Sequence, residues 1–129
     1  MGKSAMNMKT IVLSFCSLLA VGCANAQRFD VIEATIDGVH SAMSAGELSC
    51  RELVQSYLDR IEAFDQQGPN LNSIQIINPN ALDEADVLDT AFSDSGFTGD
   101  LHCVPVLLKD QVETADMPTT YGSILFDGF

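Results

Sequence analysis

The sequence predicts an α/β fold in which helices flank a sheet. In three segments, apolar side chains recur every three or four residues, which is the period of a helix with one buried face. Two short apolar segments, residues 73–77 and 104–108, have the length and composition of β-strands. The predicted order is helix, helix, strand, helix, strand, and this order is typical of a sheet covered by helices.

Residues 1–26 have the organisation of a secretory signal peptide. Lys3 and Lys9 precede an apolar run, and Ala24-Asn25-Ala26 provides small residues for cleavage after Ala26. The apolar run is shorter than the ~20 residues that a membrane helix requires, so we predict a secreted or periplasmic protein without a transmembrane helix. Two alternatives are that the run is the first core helix, or that Ala-Val-Gly-Cys is a lipoprotein box that leaves the protein lipid-anchored at Cys23.

The first two predicted helices follow the leader. The first extends over Asp30–Ala45 and stops at Gly46. The second extends from Ser49 to about Asp65, because Ser49 and Glu52 have the spacing of a capping box. The side chains predicted to form their buried faces are Ile32, Ile36, Val39, Met43, Leu53, Tyr57, Ile61 and Phe64.

The third predicted helix begins after the first strand. Asn78 is a good N-cap residue and Pro79 fits the first helical position, so the helix is expected to run from Pro79 to about Phe92. Residues 93–100 form a glycine-containing turn before the second strand. The sequence after the second strand is loop-like, and a last helix or turn is predicted over 122–126. The inward side chains of the third helix are Leu82, Ala85, Leu88 and Phe92.

The composition is strongly acidic. The chain has 18 acidic and 6 basic residues, which give a formal net charge of −12 at pH 7. The acids are scattered along the chain, a pattern typical of a solvated surface. Such a surface repels nucleic acid, so we predict no nucleic-acid partner.

Cys50 and Cys103 are the cysteines that remain once the leader is removed. In an exported protein they can form a disulfide, and two free buried cysteines are the alternative. The sequence contains no His-x-x-x-His or Cys-x-x-Cys pattern, so no metal site is predicted.

The strongest candidate for chemistry is Lys109, at the end of the second predicted strand. The residues before it, Val104–Leu108, are almost all apolar, which predicts a buried strand with the lysine at its C-terminal end. A buried amine is costly when charged, and burial can lower its pKa from ~10.4 by several units. A neutral lysine in a dry site can act as a general base. The alternative is a lysine whose ammonium reaches from a strand end into water.

Two adjoining blocks of sequence resemble the amidase signature family. Residues 99–111, Gly-Asp-Leu-His-Cys-Val-Pro-Val-Leu-Leu-Lys-Asp-Gln, are similar to the family pattern Gly-Pro-Leu-His-Gly-Ile-Pro-Val-x-x-Lys-Asp-Asn, and residues 114–123 match the block that follows. The resemblance implies the N-terminal part of the amidase signature fold, a mixed sheet flanked by helices. Three positions depart from the pattern: Asp100 replaces proline, Cys103 replaces glycine and Gln111 replaces asparagine.

The resemblance also implies an amide hydrolase that uses a Ser–Ser–Lys unit without metal or cofactor. In that unit Lys109 is the catalytic lysine, the distal base that takes a proton from a bridging serine. Asp110 points away from the lysine in a strand, so we expect it to bind nearby backbone amides. The loop after it is expected to line the substrate site with Thr119, Thr120, Gly122 and Ser123.

The serines of the family lie in a Gly-Ser-rich segment, and no such segment occurs before Phe129. We therefore expect residues 27–129 to be an incomplete, N-terminal portion of an amidase domain that is inactive alone. In the complete enzyme the substrate would be a small-molecule or peptide amide. The alternative is a small secreted acidic binding module, or a degenerate amidase without catalysis. The sequence leaves the oligomeric state open.

Overall fold

The computed structural model describes residues 28–126, which are helical with extended connections. None of the described helices is long and apolar enough to cross a membrane. The helical elements are α1 (Ile36–Ser44), α2 (Cys50–Arg60), a π-helical turn that extends α2 (Ile61–Gln66), α3 (Ala81–Ser95) and a short 3-10 turn (Ile124–Phe126).

The helix α1 begins at Ile36 rather than at the predicted Asp30. Asp30 instead accepts the backbone N–H of Ile32 at 2.9 Å, and Glu33 has a left-handed φ of 53°. Both features compete with helix formation, because the side chain takes the N–H and the backbone leaves the helical region. Thr35 then caps the helix by accepting an N–H of its first turn at 3.0 Å. Ile32 and Ile36, which were predicted to be buried, are 61% and 42% exposed.

The N-terminus of α2 has all of its free backbone N–H groups satisfied. The predicted capping box is confirmed: Ser49 Oγ accepts the Glu52 N–H at 3.2 Å, and the Glu52 carboxylate accepts the Ser49 N–H at 2.9 Å. Asp89 of α3 accepts the N–H groups of Cys50 at 2.7 Å and of Arg51 at 3.0 Å. A carboxylate in this position also interacts favourably with the helix dipole. Asp89 therefore joins α2 to α3.

The core lies between the three helices. Val39 and Met43 of α1, Leu53 of α2 and Ala85 of α3 are all buried, as their helical spacing predicts. The half-buried side chains that pack around this cluster include Val54, Tyr57, Leu88 and Phe92.

Phe64 does not join the predicted buried face, because α2 ends in a π-helical turn. The N–H of Gln67 bonds to the carbonyl of Glu62 at 3.0 Å, an i→i+5 pattern. This wider turn rotates the following side chains away from the stripe expected for a period of 3.6 residues. Phe64 is 46% exposed, and the Arg60 guanidinium lies 5.3 Å from the centre of its ring.

Neither predicted strand forms within residues 28–126. Residues 73–77 and 104–108 are extended, but they pair with no other described segment. A strand needs a neighbour that receives its backbone hydrogen bonds, and no described segment provides that ladder. The α/β sheet predicted from the sequence is therefore not formed in this part of the molecule.

Asp65 accepts backbone N–H groups of the first predicted strand, which a neighbouring strand would accept in a sheet. Its side chain is buried and accepts the N–H groups of Ser73 at 2.7 Å and of Ile74 at 3.1 Å, together with the Ser73 hydroxyl. The Ser73 hydroxyl, followed by the Ser73 N–H, lowers the pKa of Asp65 below its ordinary value. The extended segment is thus held by a side chain rather than by a sheet.

The replacement Asp89→Ala tests the bond between α2 and α3. Two backbone N–H groups of α2 would lose their acceptor, so we expect the free energy of unfolding to fall by about 1–3 kcal/mol. Asp89→Asn keeps one acceptor oxygen and should cost less. The measurement is chemical denaturation followed by circular dichroism. Asp94→Ala, at an exposed acid of the same helix, is the control and should change stability by less than ~0.5 kcal/mol; equal losses at the two positions would contradict the cap.

Candidate active-site segment

The chain before the candidate lysine is fastened to the helices through residues 97–103, here named the anchor turn. His40 of α1 donates from Nε2 to the carbonyl oxygen of His102 at 2.9 Å. The His40 ring also stacks on Phe97, with 4.3 Å between the ring centres. Phe97 in turn contacts Phe92 of α3 at 4.7 Å. The anchor turn is therefore held by both α1 and α3.

His102 is buried in the anchor turn and is neutral. Its Nδ1 accepts the backbone N–H of Thr98 at 3.3 Å and lies 2.9 Å from the Thr98 hydroxyl. Because Nδ1 is an acceptor, the ring proton lies on Nε2. Burial lowers the pKa of His102, and the nearby His40 lowers it further, whereas Asp89 opposes these effects. His102 is therefore a packing residue of the anchor turn, with its ring against Phe92 and Phe97.

Cys50, His102 and Cys103 form the one group of three described residues whose donor atoms, all within 4.8 Å, could hold a metal ion. Those atoms are engaged in other ways. The two sulfur atoms lie within covalent bonding distance, with the Cα atoms 5.4 Å apart. His102 Nε2, which carries the ring proton, is 3.9 Å from Cys50 Sγ. Because histidine binds a metal through an unprotonated nitrogen, this geometry favours a disulfide beside a packing histidine.

Lys109 is exposed, and the buried strand that it was predicted to end is not formed within residues 28–126. The apolar side chains before it, Val106, Leu107 and Leu108, are 65%, 75% and 53% exposed. No described segment covers them, so no low-dielectric wall surrounds the amine. The Lys109 ammonium forms no hydrogen bond or ion pair with another residue in the range 28–126. It is accessible to groups from elsewhere in the protein.

Asp110 organises the loop that follows Lys109. Its carboxylate accepts the N–H of Thr120 at 3.0 Å, the hydroxyl of Thr120 at 2.6 Å and the N–H of Gly122 at 2.8 Å. The Thr120 hydroxyl contributes most to lowering the pKa of Asp110, and the two N–H groups follow; the charge of Lys109 adds a smaller effect. The prediction that Asp110 binds nearby backbone amides is confirmed.

Two of the four predicted substrate-site residues, Thr120 and Gly122, are hydrogen-bonded to the Asp110 carboxylate. Gly122 has a φ of 71°, a conformation that glycine adopts without strain. Ser123 precedes the 3-10 turn, and its hydroxyl accepts the backbone N–H of Leu125 in that turn at 3.3 Å. The Thr119 hydroxyl lies 3.5 Å from a carbonyl oxygen of its own loop. The loop is thus closed onto the residue that follows the candidate lysine.

His40 and Asp89 are important to this arrangement but were not predicted from the sequence. Both occupy positions that the helical period assigns to the buried face of α1 or α3. A polar side chain at such a position needs a partner, because buried polar groups are almost always hydrogen-bonded. That conflict between residue type and position is the signal that could have identified them.

Comparison with known proteins identifies the class. The family model described as Amidase matches residues 52–129. The chain therefore belongs to the amidase family, and the resemblance predicted from residues 99–111 and 114–123 is confirmed.

Similar proteins come from several groups of organisms. A probable amidase of Arabidopsis thaliana is 35% identical over 125 residues, which are 92% of this chain and 24% of that protein. One subunit of the glutamyl-tRNA(Gln) amidotransferase of Halorhodospira halophila is 40% identical over 96 residues, which are 74% of this chain and 19% of that protein.

Solved structures share the fold of the described residues. The peptide amidase PAM, in complex with the competitive inhibitor chymostatin, gives a TM-score of 0.73 with 41% identity over 75% of this chain and 20% of that chain. An amidase family protein from Bacillus anthracis gives a TM-score of 0.72 with 40% identity over 77% and 20% of the two chains. The chain thus spans 24% or less of the length of these relatives.

The pH dependence of the Asp110 loop provides a direct test. Because folding lowers the pKa of Asp110, its stabilising effect is complete above the ordinary value of 3.8 and is lost as the pH falls through the lower folded-state value. We expect the backbone amide NMR signals of Thr120 and Gly122 to move together below pH 3.8, toward their positions in Asp110→Asn. Asp116→Asn, at an exposed acid of the same loop, should leave both signals in place. Amide signals that are insensitive to Asp110→Asn would contradict the assignment.

Proposed function

We propose that the protein hydrolyses carbon–nitrogen amide bonds and that Lys109 is its catalytic lysine. One observation carries the proposal: Lys109 ends the apolar run of the amidase motif in a chain that belongs to the amidase family. Its ammonium is exposed and forms no hydrogen bond or ion pair with another described residue, so it is available to serine hydroxyls from elsewhere in the protein. The anchor turn on one side and Asp110 on the other restrain the backbone that carries it.

In the proposed reaction, neutral Lys109 accepts a proton from a bridging serine, which accepts the proton of the nucleophilic serine. The nucleophilic oxygen attacks the amide carbonyl carbon, and the C–N bond breaks as the amine leaves with a proton. Water then hydrolyses the acyl-enzyme and releases the acid. Residues 28–126 contain no Gly-Ser-rich segment, so the serines must come from outside them. We expect residues 27–129 to be inactive alone.

The reaction requires a dry environment for Lys109, because a neutral amine is the active form. In the complete domain we propose that Val104–Leu108 pairs as a strand of the mixed sheet. Support comes from its extended backbone and from the exposure of its apolar side chains, since burial of such surface is favourable by about 25 cal/mol per Å². Covering this run would remove water from Lys109 and lower its pKa.

We further propose a small-molecule or peptide amide as the substrate, without metal or cofactor. The similarity to the peptide amidase supports an amide substrate. The loop that contains Thr119, Thr120, Gly122 and Ser123 would line the substrate site. A net charge of −12 and the predicted leader argue against a nucleic-acid partner, including the tRNA named for the amidotransferase relatives. No observation in the described residues favours the binding-module alternative.

Substitution of Lys109 tests the catalytic assignment. We expect Lys109→Ala and Lys109→Arg to lower kcat by roughly 10²–10⁴-fold, because alanine has no base and arginine remains protonated. The measurement is ammonia release from a C-terminal peptide amide by protein made from its complete coding sequence. Arg60→Ala removes one exposed positive charge and should retain activity. A Lys109→Ala enzyme with unchanged kcat would refute the assignment.

The N-terminus of the purified protein tests the proposed export. The leader, residues 1–26, lies outside the described residues, and we expect processing to leave Gln27 as the first residue. Ala26→Arg should block that cleavage, whereas Cys23→Ser should not affect it. N-terminal sequencing and intact mass measure the outcome. An unprocessed chain that begins at Met1 would contradict export, and a lipid adduct on Cys23 would support the lipoprotein alternative instead.

A further inference from the structure

Cys50 and Cys103 meet in the core although they are 53 positions apart in the sequence. Cys50 is the first residue of α2 and Cys103 is the last residue of the anchor turn. Their side chains are 0% and 5% exposed, and their Cα atoms are 5.4 Å apart. This separation lies in the range that a disulfide spans. Both positions can therefore be linked without any movement of the backbone.

The backbone at Cys103 is unusual for a residue with a side chain. Its φ is 63°, in the left-handed region that favours glycine. In the amidase signature pattern, the residue at this position is glycine, and Cys103 is one of the departures from that pattern. The chain thus keeps a backbone conformation that suits glycine while it carries a residue that disfavours it. A contact of the Cys103 side chain can offset the strain of this conformation.

We propose that a Cys50–Cys103 disulfide holds residue 103 in its left-handed conformation and fixes the anchor turn to α2. The glycine of the family pattern adopts this conformation without strain and so needs no bond to hold it. His40 and Phe92 already attach the anchor turn to α1 and α3. The disulfide would add α2, so that all three helices fix the point from which the Lys109 segment leaves. The inference does not depend on the catalytic function of Lys109.

The bond forms by thiol–disulfide exchange. The Cys50 and Cys103 thiols give up two protons and two electrons in total, and a disulfide oxidant is reduced to two thiols as the S–S bond forms. Such oxidants are present in the export compartment that the predicted leader indicates. With glutathione disulfide as the oxidant, the products are the protein disulfide and two molecules of glutathione.

The alternative for the same residues is a metal ion bound by both thiolates and His102. The tautomeric state of His102 argues against such a metal site. His102 would have to bind through Nε2, and the ring proton would then move to Nδ1, where it would face the Thr98 N–H donor at 3.3 Å. The disulfide leaves that hydrogen bond intact. In the disulfide, each sulfur atom is bonded to the other and needs no metal ion to balance a thiolate charge.

The first experiment maps the cysteines of the full-length protein after exposure to glutathione disulfide. We expect a non-reduced digest to contain one peptide that joins Cys50 to Cys103 and that separates into two on reduction. Reduction should also lower Tm by roughly 10–20 °C, because the bond closes a long loop. Free thiols at both positions after oxidation, or bound zinc detected by mass spectrometry, would overturn the disulfide. An unchanged Tm after reduction would overturn its structural role.

Variants of Cys103 then test whether the disulfide replaces the conformational freedom that glycine would provide at this position. Cys103→Ala and Cys103→Gly both remove the disulfide, but only glycine accepts φ of 63° without strain. We expect Cys103→Gly to melt several degrees above Cys103→Ala, and Cys50→Ala to resemble Cys103→Ala. Equal Tm values for the two Cys103 variants would overturn the claim that the bond replaces glycine. If a variant does not fold, the peptide map and the reduction of the unmodified protein still decide the inference.

Discussion

The position of the candidate lysine depends on the attachment of the anchor turn, residues 97–103, to the helices. The chain after Cys103 has no ladder partner in the described part of the molecule, so its direction is set where it leaves the turn. A half-buried hydrogen bond from His40, an aromatic stack on Phe97 and the contact with Cys50 fix that point. Each of these contacts joins residues that are far apart in sequence. The small helical cluster thus provides a rigid base for an otherwise unsupported extended segment.

Carboxylates provide much of the remaining order. The scattered acids suggested a solvated surface, yet Asp65, Asp89 and Asp110 each accept two backbone N–H groups. Hydrogen bonds to a charged acceptor are among the stronger ones in proteins. They tie an extended segment to α2, α3 to α2, and a loop to the candidate active site. Side chains here perform the cross-linking that strands perform within a sheet.

The chemistry proposed for Lys109 depends on the environment of its amine. In water an amine is a charged and ineffective base, and only a dry environment makes the neutral form accessible. The described residues supply the placement of the amine and the closed Asp110 loop beside it. In the proposed function, the cover over Val104–Leu108 supplies the low dielectric. In that proposal, the same apolar run serves both as a strand and as one wall of the site.

The sequence by itself determined the features that depend on neighbours a few residues away. The three helices and the Ser49–Glu52 capping box follow from local patterns, and membership of the amidase family follows from two short blocks of sequence. Such patterns fix hydrogen bonds within one or two turns of chain.

Only the tertiary structure decided where distant segments meet. The late start of α1, the cap from Asp89, the bond from His40 and the exposure of Lys109 could not be obtained from periodicity. An apolar run predicts a strand only if a partner lies beside it, and an apolar side chain is buried only if another segment covers it. Those partners are chosen by the folded arrangement of the chain, which local sequence does not contain.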